Sequence, residues 1–143
     1  MRRPAACVSV AACAAFVAVL ACQKSLPTAP SELTEGIVVY EHANYGGASA
    51  HIISDIADLK DFKGPCIHAE PSSSIPDFSD VWDDCISSIR VASGWQATVY
   101  VDDDFDGRSI DTSADIPNLE DIAGSCKRDF WNDCISSIRV KRR

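Results

Sequence analysis

The stretch DDCISSIRV at residues 83–91 returns as NDCISSIRV at 132–140, changed at one position in nine. A repeat that served packing alone would keep the apolar letters and let the polar ones drift. Here Asp84, Ser87 and Ser88 return as Asp133, Ser136 and Ser137, so the polar letters have a task of their own.

Working outward, the repetition extends over most of the chain from Gly36 onward. YEHANYGG (40–47) matches YVDDDFDG (100–107): an aromatic, four residues, a second aromatic, one residue, then glycine. DIADLKDFKGPC (55–66) matches DIPNLEDIAGSC (115–126) at the same offset of 60, while the closing phrase matches at an offset of 49. The difference falls between Cys66 and Cys85, where CIHAEPSSSIPDFSDVWDDC is longer than its partner CKRDFWNDC. Its proline and serine content reads as a surface loop extension in the first repeat.

Local signals are those of strands. GIVVYEH (36–42) and WQATVYV (95–101) are β-branched and aromatic, and Trp95, Ala97, Val99 and Val101 alternate with Gln96, Thr98 and Tyr100. SAHIIS and ISSIRV supply further short strands, and DLKDF and NLEDI each suit a single helical turn. Short strands about ten residues apart with turn residues between them indicate an all-β sandwich.

The N-terminus has a different character. Arg2 and Arg3 precede an uncharged run of Ala, Val, Cys and Phe, the pattern of a secretory signal. The run ends in VLAC at 19–22, which resembles a bacterial lipoprotein cleavage site and would make Cys22 the lipid-modified first residue. An ordinary signal peptide cut nearby is the alternative. Residues 23–35, with two prolines and no periodicity, read as a flexible linker. The organisation expected is therefore a signal segment at 1–22, a linker at 23–35 and one folded domain at 36–143, with repeats at 36–92 and 94–143.

Export decides how the other four cysteines are read. Cys66, Cys85, Cys126 and Cys134 form an even set without a Cys-x-x-Cys spacing, which favours disulfides over metal thiolates and leaves three connectivities open. The formal charge of −8 becomes about −10 once Arg2 and Arg3 leave with the signal. That acidity argues against a nucleic-acid partner and is compatible with cations.

The paired signature, aromatic-x4-aromatic-x-Gly followed by Asp/Asn-Asp-x-x-Ser-Ser, resembles the βγ-crystallin family of the microbial calcium-binding type. The resemblance spans about Gly36 to Lys141 and implies two four-stranded Greek keys packed as one sandwich. It implies that Gly47 and Gly107 take positive φ where the first hairpin folds over, with Tyr45 and Phe105 covering the bend. Ser49 and Ser109 match the serine that hydrogen-bonds into that fold. The resemblance also implies two calcium sites, each assembled from both repeats out of hard oxygens. Their ligands would be the carboxylates of Asp84 and Asp133, the backbone carbonyls of Glu41, Val101, Cys85 and Cys134, and the crossing hydroxyls of Ser87 and Ser136. Asp83 and Asn132 would shape the loops by accepting backbone amides. Cysteine stands in both copies where a long polar residue is expected. A symmetric pairing of Cys66 with Cys85 and Cys126 with Cys134 would staple each loop, the first contributing about 3 kcal/mol on the chain-entropy argument.

Other signals carry less. DDDFDG (102–107) opens like an EF-hand loop, but Ser113 stands where the bidentate Glu is required and a strand precedes it. His42, His51 and His68 have no ligand-like spacing, and Trp82, Trp95 and Trp131 suit core and corner positions. No catalytic constellation is found, so an enzyme is not expected. The expected function is a calcium-binding structural or stress-type module of the bacterial cell envelope. Its partners would be calcium, an envelope or matrix protein, and the membrane only through the lipid anchor. The alternative is a secreted protease inhibitor or other protein-binding module that uses the 67–84 loop.

Overall fold

The computed structural model describes residues 32–69, 78–124, 126 and 129–143. The signal segment with Cys22 and the linker up to residue 31 lie outside the described residues.

Strand formation follows the β-branched runs. β1 (Ile37–His42) buries Ile37 and Val39 completely and leaves Val38 and Tyr40 half-buried, the alternation of a one-sided strand. β6 (Trp95–Tyr100) does the same with Ala97 and Val99. β1 lies between β2 (Gly46–Ile52) and β5 (Ser88–Val91), all antiparallel. β6 lies likewise between β7 (Ser109–Thr112) and β8 (Ser137–Arg142). The inward faces form one cluster in which repeat-related residues recur: Val39 with Val99, Leu59 with Leu119, Trp82 with Trp131, Ile86 with Ile135, and Ile89 with Ile138.

Each three-stranded sheet receives a further segment from the other repeat. Ile56 exchanges two backbone hydrogen bonds with Ile138 on β8, at 2.8 and 2.9 Å. Ile116 exchanges two with Ile89 on β5, at the same distances. The aspartate directly before each of these isoleucines completes the exchange. Asp55 Oδ1 accepts the amide of Val140 at 2.9 Å, and Asp115 Oδ1 accepts that of Val91 at 2.8 Å. The expected fourth strand of each Greek key is therefore a single bridge, donated across the molecule.

Two details differ from the sequence reading. The extension in repeat one is not only a loop, because its flanks pair as an antiparallel hairpin, β3 (Lys63–Ala69) with β4 (Phe78–Val81). The Pro and Ser letters hid the strand signal in KGPCIHA. Of the two expected helical turns, only NLEDI forms one, a 3-10 turn at Leu119–Asp121 capped by Asn118, whose Oδ1 accepts the Glu120 amide at 3.1 Å. DLKDF forms no helix, although Lys60 makes an Asx-type turn on Asp58. Cys66 and Cys85 form a disulfide, with Cα atoms 5.9 Å apart, and Cys126 and Cys134 are placed as the second pair at 6.1 Å.

Leu59 and Leu119 are fully buried and each donates its amide across the repeat boundary, to Ser136 and Ser87 respectively. Leu119→Ala is expected to lower unfolding stability by about 2–5 kcal/mol. Because its cavity opens between the repeats, urea denaturation followed by tryptophan emission should stay a single transition with a lower midpoint and an unchanged m-value.

Candidate metal-binding loops and their setting

The two loops bearing the repeated phrase are built against each other. Asp84 (φ 50°) and Asp133 (φ 51°) take left-handed backbone, a conformation that Asp tolerates better than most residues. The Asp84 amide donates to the carbonyl of Ile135 and the Asp133 amide to that of Ile86, each at 3.2 Å. The loops are thereby cross-paired about an approximate two-fold. Ser87 and Ser136 then donate their amides to Tyr40 and Tyr100, both at 2.9 Å, so each loop lies beside the carbonyl of the next residue along, Glu41 or Val101.

Three predicted ligands meet at one point. Ser87 Oγ lies 2.7 Å from the Glu41 carbonyl oxygen and 3.3 Å from Asp133 Oδ1. Asp133 comes from the second repeat and the other two from the first. The serine of one repeat thus lies beside the aspartate of the other. Asn132, expected to bond a backbone amide, donates Nδ2 to Asp133 Oδ2 at 2.7 Å, orienting the carboxylate. Asp83, its counterpart, is 4% exposed.

The repeat-two side is more open. Asp84, Val101 and Ser136 line a cavity of about 490 Å³ together with Asp102, Glu120, Asn132, Asp133 and Cys134, and with Cys126 and Phe130. Cys85 is buried and is not among the lining residues. Sequence reasoning missed Glu120 and Phe130, since Glu120 stands opposite Lys60 in the repeat and Phe130 lies outside the matched stretches.

Among the described residues, no three His, Cys, Asp or Glu side chains cluster as a metal site. A cation would rest mainly on carbonyl and hydroxyl oxygens with one carboxylate. That donor set suits a hard ion. Oxygens 2.7 and 3.3 Å apart are also spaced as neighbouring ligands that lie about 2.3–2.6 Å from calcium. The residues at Glu41, Ser87 and Asp133 therefore fit the ion that the resemblance implies.

The second serine of each phrase has a different task. Ser88 Oγ accepts the Tyr45 amide at 3.0 Å and donates to the His42 carbonyl at 2.7 Å. Ser137 Oγ accepts from Phe105 at 3.0 Å and donates to Asp102 at 2.6 Å. These hydroxyls hold the short turns Ala43–Tyr45 and Asp103–Phe105, where Tyr45 (φ 62°) and Phe105 (φ 63°) are also left-handed. Ser49 and Ser109, expected to hydrogen-bond into the fold, lie exposed on β2 and β7. A hydroxyl distant in sequence was needed, and only the folded chain brings it there. Gly47 and Gly107 do take positive φ, both 73°. A Cβ at Gly47 would lie 2.8 Å from Glu41 Oε2, which accepts the Ala48 amide at 3.0 Å. Arg90 stacks over Tyr45 at 4.4 Å and Arg139 over Phe105 at 4.2 Å, closing both bends.

Comparison with known proteins agrees with this fold. A βγ-crystallin domain from Flavobacterium johnsoniae is 32% identical, aligned over 76% of this chain and 97% of its own, with a TM-score of 0.51. The model of Peptidase inhibitor family I36 matches residues 39–112, just over half of the chain. The chain is a βγ-crystallin, and a member of Peptidase inhibitor family I36. This βγ-crystallin is also similar to a double mutant of a βγ-crystallin domain from Clostridium beijerinckii, 28% identical over 75% of this chain and 97% of that one, at a TM-score of 0.50. A structure from work on the evolution of the eye lens βγ-crystallin domain is 22% identical over 81% and 95%, at a TM-score of 0.56, and shows the fold alone. No curated protein matches the sequence.

Ser137 is fully buried and bonded on both sides. Ser137→Ala should destabilise this βγ-crystallin by about 1–3 kcal/mol, because the Phe105 amide loses its acceptor. Ser109→Ala, exposed on β7, should shift the thermal midpoint by far less.

Proposed function

We propose that this βγ-crystallin is a calcium-binding structural module, exported to the bacterial cell envelope and stabilised there by its ions. The observation that carries the proposal is the meeting of Glu41 O, Ser87 Oγ and Asp133 Oδ1, three hard oxygens from two repeats. Asp133, Ser87 and the Glu41 and Cys134 carbonyls would hold one ion. Asp84, Ser136 and the Val101 and Cys85 carbonyls would hold the other. Calcium supplies a charge that ties the two loops to each other and to β1 and β6. An ion that binds only the folded chain adds about 2.7 kcal/mol when its concentration is a hundredfold above Kd. The envelope location rests on the signal-like segment and Cys22, read from sequence.

A second reading is favoured by the match to Peptidase inhibitor family I36 and by the hairpin that replaces the expected loop. In this reading the 67–84 segment, held at its base by the Cys66–Cys85 bond, docks against a peptidase.

Calorimetric titration of the oxidised protein is expected to show two bound ions and a calcium-raised melting temperature, with one ion lost in each of Asp84→Ala and Asp133→Ala. No heat and no shift would remove the calcium reading. For the second reading, deleting residues within 67–81 to match the length found between Cys126 and Cys134, with Trp82, Asp83 and Asp84 kept, should abolish inhibition of a susceptible peptidase while leaving calcium binding intact. Unchanged inhibition would count against the hairpin.

A further inference from the structure

The residue that follows the aspartate in each repeated phrase is a half-cystine, Cys85 or Cys134. Each is pinned between a left-handed aspartate and a fully buried isoleucine, Ile86 or Ile135. Cys85 is 1% exposed and Cys134 5%, whereas their partners Cys66 and Cys126 are only half-buried. Both bridges therefore run from the loop interior to a position that solvent can reach.

The bridges lie outside the two three-stranded sheets. β1, β2, β5, β6, β7 and β8 contain no cysteine, and the exchanged bonds at Ile56 and Ile116 involve none. Opening a disulfide would remove one restraint from a loop and leave its backbone bonds, such as those of the Asp84 and Asp133 amides, in place. The part of the molecule that the bridges constrain is the part that carries the ligand-bearing carbonyls.

We propose that the two disulfides make calcium affinity depend on redox state, Cys66–Cys85 for the ion at Asp84 and Cys126–Cys134 for the ion at Asp133. This rests on the calcium reading above. A dithiol reductant attacks through one thiolate at the sulfur of Cys66 or Cys126, the less buried residue of each bridge. The protein S–S bond breaks and the buried Cys85 or Cys134 leaves as a thiolate that takes up a proton. The second thiol of the reductant then displaces the mixed disulfide. The protein gains two electrons and two protons per bridge, and the reductant leaves as a cyclic disulfide. The loosened loop must then be ordered further by the ion, and that entropy is charged against binding. By reciprocity, calcium favours the oxidised form by the same factor that reduction weakens calcium.

The test uses the oxidised protein and dithiothreitol. Calcium affinity is measured by calorimetry before and after reduction, under conditions where emission from the buried Trp82 and Trp131 stays native. A loss of about tenfold is expected. Cys66→Ser with Cys85→Ser should weaken one of the two ions and leave the other within about twofold, which separates local coupling from unfolding. In the reverse direction, the fraction reduced at a fixed dithiol-to-disulfide ratio, read by thiol alkylation and mass spectrometry, should fall when calcium is added. Equal affinities in the oxidised and reduced forms, or a reduced fraction indifferent to calcium, would overturn this inference and leave the calcium reading intact. An oxidised protein that binds no calcium would overturn both.

Discussion

The structure depends on the reciprocal exchange of backbone between the repeats. Ile56 lies on β8 and Ile116 on β5, each through two short hydrogen bonds, and Asp55 and Asp115 finish the exchange by capping Val140 and Val91. Without it each half would be a three-stranded sheet with an unpaired edge and one face of Ile and Val open to water. Exchange covers the edge and closes the core in one step. The same constraint brings Leu59 against Ser136 and Leu119 against Ser87, and so sets the position of both phrase loops.

Within those loops the consecutive serines divide two requirements. The first hydroxyl, in Ser87, faces Glu41 and Asp133, where an ion can replace its proton-mediated contacts by coordination. The second, in Ser88 and Ser137, is fully buried and satisfies the strained aromatic turn. The strand boundary marks the split, since β5 and β8 begin at the second serine and the first belongs to the preceding loop. One phrase can thus serve the loop and the sheet.

The halves are not equivalent around this shared frame. Repeat one carries the β3–β4 hairpin and Glu41, whose side chain is engaged by its own turn at Ala48. Repeat two carries Val101, Asp102 and Glu120 beside an open cavity. Divergence has collected where no exchanged backbone bond would be lost, which is the expected place for insertions and charge changes.

Much of this was legible in the sequence because it depends on short-range rules. β-branched alternation marked β1 and β6, paired glycines marked the bends, and the duplicated phrase marked Asp84, Ser87, Asp133 and Ser136. The identity of the residues that hold the aromatic turns was not legible. Ser88 and Ser137 act on partners 43 and 32 residues away, a separation that no local pattern encodes, and Ser49 and Ser109 lay closer in sequence. The hairpin was hidden for a related reason, since its pairing and not its composition makes KGPCIHA a strand. The sequence by itself determined an all-β duplicated chain with two acid-serine loops. Only the tertiary structure decided which repeat completes which loop, because that choice is made by backbone exchange between segments far apart in the chain.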